Sequence, residues 1–410
     1  MKITKVESFL MSCPMPEPVK LRFWAGERTI LKRDAMLILI TTDTDLRGYA
    51  PGPAHERADR EIKQIIAPFL IGKDPLCWKT FQFTADREVM KTYKAVEIAL
   101  LDLVTRYEGC TLSDLLGGRQ RDRIKLYGSA GMYMEPEEYA EEASAVIDMG
   151  FPAYKMRPGS GPENDLKAIA LMRKAIGPDA GLMVDAHTWW RMGDKNYSLE
   201  TVAKLAHDVK EYNLVWLEEP LPPDDHDAYR QLQRQSFVKL ASGEHEPDDS
   251  GFEDLINSKT VDYIQMDILC QGGFSSAQKI FEGVKEQGLR FAFHSWGTAL
   301  EVLTAAQLGV CWPEAVVEWL EYPCYSHRDT PVMYPFPLAD EILSDNLEID
   351  NGYLVLPDGH GLGIEINENV IEKYPFVQGP WSIFKLDSTT ETIAVTGDHS
   401  LKWVEGKHDD

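Results

Sequence analysis

Residues 214–220 read Leu-Val-Trp-Leu-Glu-Glu-Pro, which is an apolar run followed by two carboxylates and a proline. A continuous apolar run favours a parallel strand covered on both faces, because a surface strand would alternate apolar and polar residues. The proline is expected to end the strand. Burying Glu218 without a partner would cost several kcal/mol, so we expect a cation beside it.

The preceding and following strand-like segments have the same design. Residues 181–187 end in Asp185 and His187, and residues 239–245 end in Glu244 and His245. Three consecutive strands are therefore predicted to present one carboxylate each. Three hard oxygen ligands favour Mg2+, since zinc prefers more nitrogen or sulfur.

The pattern around these segments predicts an α/β fold of the (β/α)8 TIM-barrel type. Short apolar strands alternate with segments of helical spacing, and in such barrels the functional residues lie at the C-terminal strand ends. The eight predicted strands begin at Ile124, Ala153, Leu182, Val215, Lys239, Tyr263, Arg290 and Ala315.

We predict three regions: an N-terminal α+β capping domain at 1–122, the catalytic barrel at 123–340, and a C-terminal segment at 341–410 that returns to the capping domain. Residues 13–32 contain three prolines and are predicted to form an irregular functional loop. Apolar spacing over residues 96–107 predicts a helix that ends at Gly109. The last 30 residues carry no pattern that we could assign.

The amino-acid composition limits the classes of binding partner that we expect for this chain. The net charge of −24 argues against nucleic acid or an anionic membrane as the main partner. The six cysteines are scattered, which favours reduced thiols and a cytoplasmic location. We find no pattern of a signal peptide and no apolar run of membrane-spanning length.

Other strand ends carry groups suited to proton transfer. Two-residue spacing places Lys155 and Arg157 on one face of a strand, where this cationic pair could neutralise negative charge that develops on the substrate carboxylate. His294 is predicted to lie across the barrel from Lys155. Asp267, on the strand before His294, is a candidate to orient and charge it. A metal that holds a carboxylate and its α-hydroxyl between such groups would stabilise the enediolate left by α-proton removal.

Together these motifs resemble the enolase superfamily, in its mandelate racemase subgroup, and most closely acid-sugar dehydratases of the rhamnonate dehydratase type. The resemblance covers nearly the whole chain. Its motifs are Lys-x-Arg at 155–157, Asp-Ala-His at 185–187, Trp-Leu-Glu-Glu-Pro at 216–220, Gly-Glu-His-Glu at 243–246, Asp267 before Gly272-Gly273, and His294.

The resemblance implies roles for individual residues, one Mg2+ per subunit and a homo-oligomer. Asp267 and His294 would be the catalytic dyad, and Glu321 would contact the substrate carboxylate or enediolate. The loops at 13–32 and 50–57 would close over the barrel as specificity elements. The implied metal ligands are Asp185, Glu218 and Glu244, and the candidate substrate contacts are Arg22, Trp24, His55, His187, His245 and Trp296.

One departure bears on the reaction. Where mandelate racemase has a second lysine as a base, this chain has Arg157, and arginine does not readily give up its proton. A reaction run from the His294 side alone is therefore favoured, which implies dehydration of an aldonate or aldarate to a 2-keto-3-deoxy acid. The runs His294-Ser-Trp-Gly-Thr and Gly359-His-Gly-Leu-Gly-Ile resemble sugar-lactone cycloisomerases, so cycloisomerisation and racemisation or epimerisation stay open.

Alternative interpretations of these residues also stay open. Lys155 and Arg157 could form ion pairs at the barrel end, and Glu219 could pair with Lys155 or another cation. His187 and His245 could only hydrogen-bond to metal ligands, or surround iron in a redox enzyme. Further alternatives are surface positions for Arg22, Trp24, His55 and Arg57, and core positions for the tryptophans. The chain could also be a non-catalytic scaffold.

Overall fold

The computed structural model describes residues 1–235, 237–324 and 336–396. Its strands form one barrel and one separate antiparallel sheet. The strands are β1 (Ile3–Phe23), β2 (Gly26–Thr42), β3 (Arg47–Gly52), β4 (Arg123–Met132), β5 (Ala153–Arg157), β6 (Gly181–Asp185), β7 (Trp216–Glu218), β8 (Leu240–Ser242), β9 (Tyr263–Asp267), β10 (Arg290–His294), β11 (Val317–Pro323), β12 (Ile349–Asp350), β13 (Tyr353–Val355), β14 (Ser382–Leu386) and β15 (Thr392–Val395).

Helices connect successive barrel strands on the outside. Within the described ranges, no helix combines the length and the apolar character needed to cross a membrane. The α-helices are α1 (Glu56–Glu61), α2 (Ala67–Leu70), α3 (Arg87–Glu108), α4 (Leu112–Leu115), α5 (Pro136–Asp148), α6 (Pro162–Ile176), α7 (Leu199–Asp208), α8 (His226–Gln233), α9 (Asp249–Ser258), α10 (Gly273–Gln287), α11 (Ala299–Gly309), α12 (Leu338–Glu341) and α13 (Asn369–Lys373).

Strands β4 to β11 form the closed parallel barrel, because β11 pairs in parallel with β4. This arrangement confirms the predicted fold class. One residue from each strand fills a layer of the barrel interior, and three alanines are interspersed among larger side chains so that the layer packs without a pore. The layer consists of Tyr127, Ala153, Met183, Trp216, Ala241, Tyr263, Ala292 and Trp319.

The capping sheet corrects one expectation. Residues 13–32 are not an irregular loop, because β1 and β2 continue through them as a long antiparallel hairpin. The prolines are tolerated because β1 is an edge strand, and its register shifts between Pro14 and Val19. Helix α3 is present as predicted and ends at Gly109, whose φ is 71°.

The C-terminal segment divides between the two sheets. Strand β14 pairs with β2 in the capping sheet, as expected for a returning segment. Strand β13, however, pairs antiparallel with residues 123–125 of β4 in the barrel, ahead of the part of β4 that pairs with β5. The boundaries at 122 and 340 stay predictions, and residues 325–335 and 397–410 lie outside the described residues.

Candidate active site

The three predicted metal ligands converge at the C-terminal end of the barrel. Asp185 and Glu218 are the last residues of β6 and β7 and are paired in register, and Glu244 follows β8. One oxygen from each carboxylate lies within 4.8 Å of the others. This all-oxygen donor set suits Mg2+.

Lys155 supplies the cation expected beside Glu218. Its Nζ lies 2.8 Å from Glu218 Oε1, 3.1 Å from Glu321 Oε1 and 3.6 Å from Asp185 Oδ2. Burial nevertheless raises the pKa of Glu218 to about 8: Lys155 opposes the rise, and neighbouring carboxylates led by Asp185 add to it. Four carboxylates, from Asp185, Glu218, Glu244 and Glu321, share this cluster with two permanent cations, Lys155 and Arg157, which fits a divalent ion.

Arg157 contacts the same cluster of carboxylates as Lys155. Its Nε lies 3.2 Å from Asp185 Oδ2 and its Nη2 lies 3.0 Å from Glu321 Oε1. The guanidinium carbon lies 3.9 Å from the ring centroid of Trp296. The ion pairs considered for Lys155 and Arg157 are therefore present, and they leave both cations at the site.

His294 and Asp267 form a hydrogen-bonded pair across adjacent strands. The two residues are in register between β9 and β10, and His294 Nδ1 lies 2.8 Å from Asp267 Oδ2. On the other side of the ring, Nε2 lies 3.1 Å from Glu244 Oε2. Asp267 Oδ1 accepts a hydrogen bond from the Leu269 amide at 2.7 Å, which fixes the carboxylate.

The other two histidines contact acids at the strand ends. His187 Nδ1 lies 2.7 Å from Asp185 Oδ1, and His245 Nδ1 lies 2.6 Å from Glu219 Oε2. Glu219 thus pairs with a histidine. The sequence reading missed Arg191, whose Nη2 lies 2.6 Å from His245 Nε2. Burial, assisted by Arg191, lowers the pKa of His245 to about 3, so this ring is neutral.

A cavity opens between the barrel mouth and the capping domain. His55, Arg57, His245 and Trp296 line it together with the dyad and Glu244. The sequence analysis missed several charged lining residues, among them Arg33 and Glu301. Arg33 lies within a strand, where no strand-end signal marks it, and Glu301 could have been sought just after His294-Ser-Trp-Gly-Thr.

Three predicted substrate contacts lie outside the lining of this cavity: His187, which contacts Asp185 as described above, and Arg22 and Trp24. Arg22 forms an ion pair with Asp387. The Trp24 ring lies 5.7 Å, between centroids, from that of Tyr197. Neither side chain lines the cavity described above, so their contact with substrate stays a prediction.

Comparison with known families covers both parts of the chain. The family described as "Mandelate racemase / muconate lactonizing enzyme, N-terminal domain" matches residues 9–117. The family described as "Enolase C-terminal domain-like" matches residues 138–370.

Individual relatives are similar over almost their whole length. A D-galactarolactone cycloisomerase from Agrobacterium fabrum is 30% identical, over 91% of this chain and 99% of that protein. An arabinonate dehydratase from Saccharolobus solfataricus is 25% identical, over 82% of this chain and 89% of that protein.

A solved structure agrees with these matches. The 3,6-anhydro-D-galactonate cycloisomerase from Zobellia galactanivorans superimposes with a TM-score of 0.76 at 26% identity, over 92% of this chain and 100% of that chain. The barrel, the capping sheet and both family matches lead to one conclusion: this chain belongs to the mandelate racemase subgroup of the enolase superfamily.

Proposed function

We propose that this chain is a Mg2+-dependent acid-sugar dehydratase. It would remove the proton next to a carboxylate and eliminate the 3-hydroxyl, giving a 2-keto-3-deoxy sugar acid. The observation that most supports this proposal is the dyad. Nδ1 of His294 lies 2.8 Å from Asp267 Oδ2, and Nε2 lies 3.1 Å from Glu244 Oε2. A base in this position is directed towards the place where the candidate metal ligands converge.

Asp185, Glu218 and Glu244 would hold the ion. When bound, Mg2+ supplies positive charge that makes the α-proton of a nearby carboxylic acid more acidic. The fit rests on three carboxylates whose oxygens already lie within 4.8 Å of one another.

His294 would act first as base and then as acid. Because Asp267 accepts a hydrogen bond from Nδ1, that nitrogen keeps its proton and Nε2 takes up the substrate proton. Burial lowers the pKa of His294, but Glu244, Glu321 and Asp267 together raise it well above its usual range. Mg2+ held by Glu244 would offset part of this rise, so that Nε2 could begin the reaction without its proton. Once Nε2 has taken up the α-proton, the carboxylates stabilise the imidazolium, which then protonates the departing 3-hydroxyl.

Lys155 and Arg157 would act as cations rather than bases. Burial lowers the pKa of Lys155, but Glu218, Glu321 and Asp185 more than reverse this and raise it above its usual value. Arg157 keeps its proton in the same surroundings. Both cations contact Glu321 and are placed to stabilise negative charge on a bound carboxylate.

Cycloisomerisation of a sugar lactone or anhydro sugar acid is the second candidate. The observation that favours it is the similarity to the two cycloisomerases, at 30% and 26% identity. Both reactions begin with removal of an α-proton. They differ in the leaving group, which is a hydroxyl in dehydration and a ring oxygen in cycloisomerisation.

The test is incubation with Mg2+ and a panel of aldonates, aldarates and their lactones. If 2-keto-3-deoxy acids form from open-chain acids, the result supports dehydration. If these products form only from lactones, the result favours cycloisomerisation. Product analysis by NMR in D2O separates elimination from exchange. Accumulation of the C2 epimer without elimination would contradict both.

A further inference from the structure

We infer that Trp381 is a specificity-determining residue, whose ring closes part of the capping side of the cavity and limits the length of the sugar acid that fits there. Trp381 belongs to the last 30 residues, to which the sequence alone assigned no pattern. It also lies outside both family matches, at 9–117 and 138–370. The inference rests on the proposed function in one respect, which is that the ligand is a sugar acid.

The register of the capping sheet brings Trp381 to the cavity. Strand β14 pairs antiparallel with β2, and its first residue, Ser382, lies opposite Ile30. Trp381 therefore lies beside Leu31, and β2 continues from there into residues 33–36, which line the cavity. Trp381 lines the same cavity. A side chain from the C-terminal segment thus shares this cavity with the catalytic dyad.

The backbone of Trp381 is fixed by hydrogen bonds to two strands. Its carbonyl oxygen accepts hydrogen bonds from the amides of Leu31 at 2.9 Å and Lys32 at 3.3 Å. Its own amide donates to the carbonyl oxygen of Val395 in β15 at 2.8 Å. Side chains that are held by strands are positioned more precisely than side chains on loops. Trp381 therefore has little freedom to move aside for a longer ligand.

Two arginines of β2 hold the indole ring. The guanidinium carbon of Arg28 lies 4.8 Å from the ring centroid, and that of Arg33 lies 5.3 Å from it. Nη1 of Arg28 also contacts Met132 Sδ at 3.0 Å. Nη2 of Arg33 donates a hydrogen bond to the Trp296 carbonyl oxygen at 2.6 Å. Cation–π contacts to arginines that are themselves anchored stabilise one position of the ring.

An aromatic wall at this place suits the part of a sugar acid that does not react. The carboxylate end is assigned to the barrel mouth, so the remaining carbons extend towards the capping side. Their C–H groups can pack against an aromatic ring, and small-molecule sites commonly combine such walls with a few polar groups. A wall that cannot move also rejects an additional carbon, because a misfit of one carbon typically costs about tenfold or more in kcat/KM.

The experiment compares a hexonic acid with the heptonic acid of the same configuration at C2–C5. We expect wild type to favour the hexonate by about tenfold or more in kcat/KM. Trp381→Ala should bring the two values to about the same level, chiefly by lowering KM for the heptonate, because the space left by the indole admits the additional carbon. Trp381→Phe should give an intermediate ratio. An unchanged ratio in Trp381→Ala would overturn the inference.

Phe384→Leu is the matched control for a purely structural effect. Phe384 is buried in β14 and its ring centroid lies 4.9 Å from the guanidinium carbon of Arg28, but it does not line the cavity. The control disturbs the same segment and the same arginine, and it should leave the ratio unchanged. An equal change in Phe384→Leu would contradict a direct role of Trp381. If Trp381→Ala does not fold, Trp381→Phe decides, and an unchanged ratio in that variant contradicts the inference.

Binding to a His294→Asn protein loaded with Mg2+ separates this inference from the proposed function. Calorimetry should give a lower dissociation constant for the hexonate than for the heptonate, and addition of Trp381→Ala should remove the difference. If there is no difference to remove, or if it survives Trp381→Ala, the inference is wrong. If the binding preference changes as expected while wild type dehydrates neither acid, the proposed function fails and the inference stands. If neither acid binds to either protein, both are wrong.

Discussion

Nζ of Lys155 lies 2.8 Å from Oε1 of Glu218, and both side chains are completely buried where the barrel strands end. The pair joins β5 to β7 across the intervening β6. Removing one member of a buried pair leaves an uncompensated charge, which is strongly destabilising. The same pair therefore links the stability of the barrel to the charge balance of the site.

We expect Lys155→Met to lower the free energy of unfolding in metal-free buffer by about 3–5 kcal/mol. Urea denaturation measures the change. The double variant Lys155→Met/Glu218→Gln should recover part of the loss, because the buried acid is then no longer charged. Simple additivity of the two single changes would show that the ion pair is not coupled.

Metal dependence is the second prediction. Exhaustive chelation or Glu244→Gln should reduce activity by about a hundredfold or more, because a hard divalent ion loses one of three anionic ligands. Glu318→Gln is the control, since Glu318 lies at the opposite end of the barrel and contacts Arg290. Mg2+ should raise the Tm of wild type and Glu318→Gln, but not of Glu244→Gln. Full activity after chelation would exclude this site.

The third prediction concerns the dyad. His294→Asn should lower the rate of elimination by several orders of magnitude. Asp267→Asn should lower kcat by about 10²–10⁴-fold, because the imidazole loses the acceptor that orients it. Both variants should still gain Tm with Mg2+. Turnover that survives in His294→Asn but is lost in Lys155→Ala would assign the base to the other side of the barrel.

The fourth prediction separates two candidate substrate contacts in the capping domain. His55 lines the cavity and its Nδ1 also caps α1 by accepting the Ala58 amide at 3.0 Å. His55→Asn keeps a capping side chain, so it should change the relative kcat/KM values of a substrate panel without a large loss of stability. Trp24→Ala should change them less. A larger effect for Trp24→Ala would restore it as a specificity residue.

The fifth prediction concerns the hydrogen bonds that connect the capping domain to the C-terminal segment. Buried Asp102 on α3 accepts hydrogen bonds from the amides of Tyr49 and Leu362, both at 2.8 Å, and from Arg106 Nε at 3.0 Å. Asp102→Ala should cost about 3–5 kcal/mol in urea unfolding, because several buried donors lose their acceptor. Glu108→Ala, at the exposed end of α3, should cost under about 0.5 kcal/mol.

The barrel and the cluster of acids followed from local patterns in the sequence. Apolar runs that end in Asp185 and Glu218 can be read one segment at a time, and parallel strands necessarily bring their C-terminal ends together. Helix α3 was likewise set by apolar spacing and by the glycine that ends it. The roles of these acids as metal ligands stay a prediction.

Only the tertiary structure decided the contacts between distant parts of the chain. Residues 13–32 became strands because β2 finds partners in β1 and in β14, which lies more than 300 residues further on. Arg33 lines the cavity because the capping sheet brings it to the Trp296 carbonyl. No local period encodes such pairings, since their free energy comes from long-range packing and hydrogen bonds that exist only after the chain has folded.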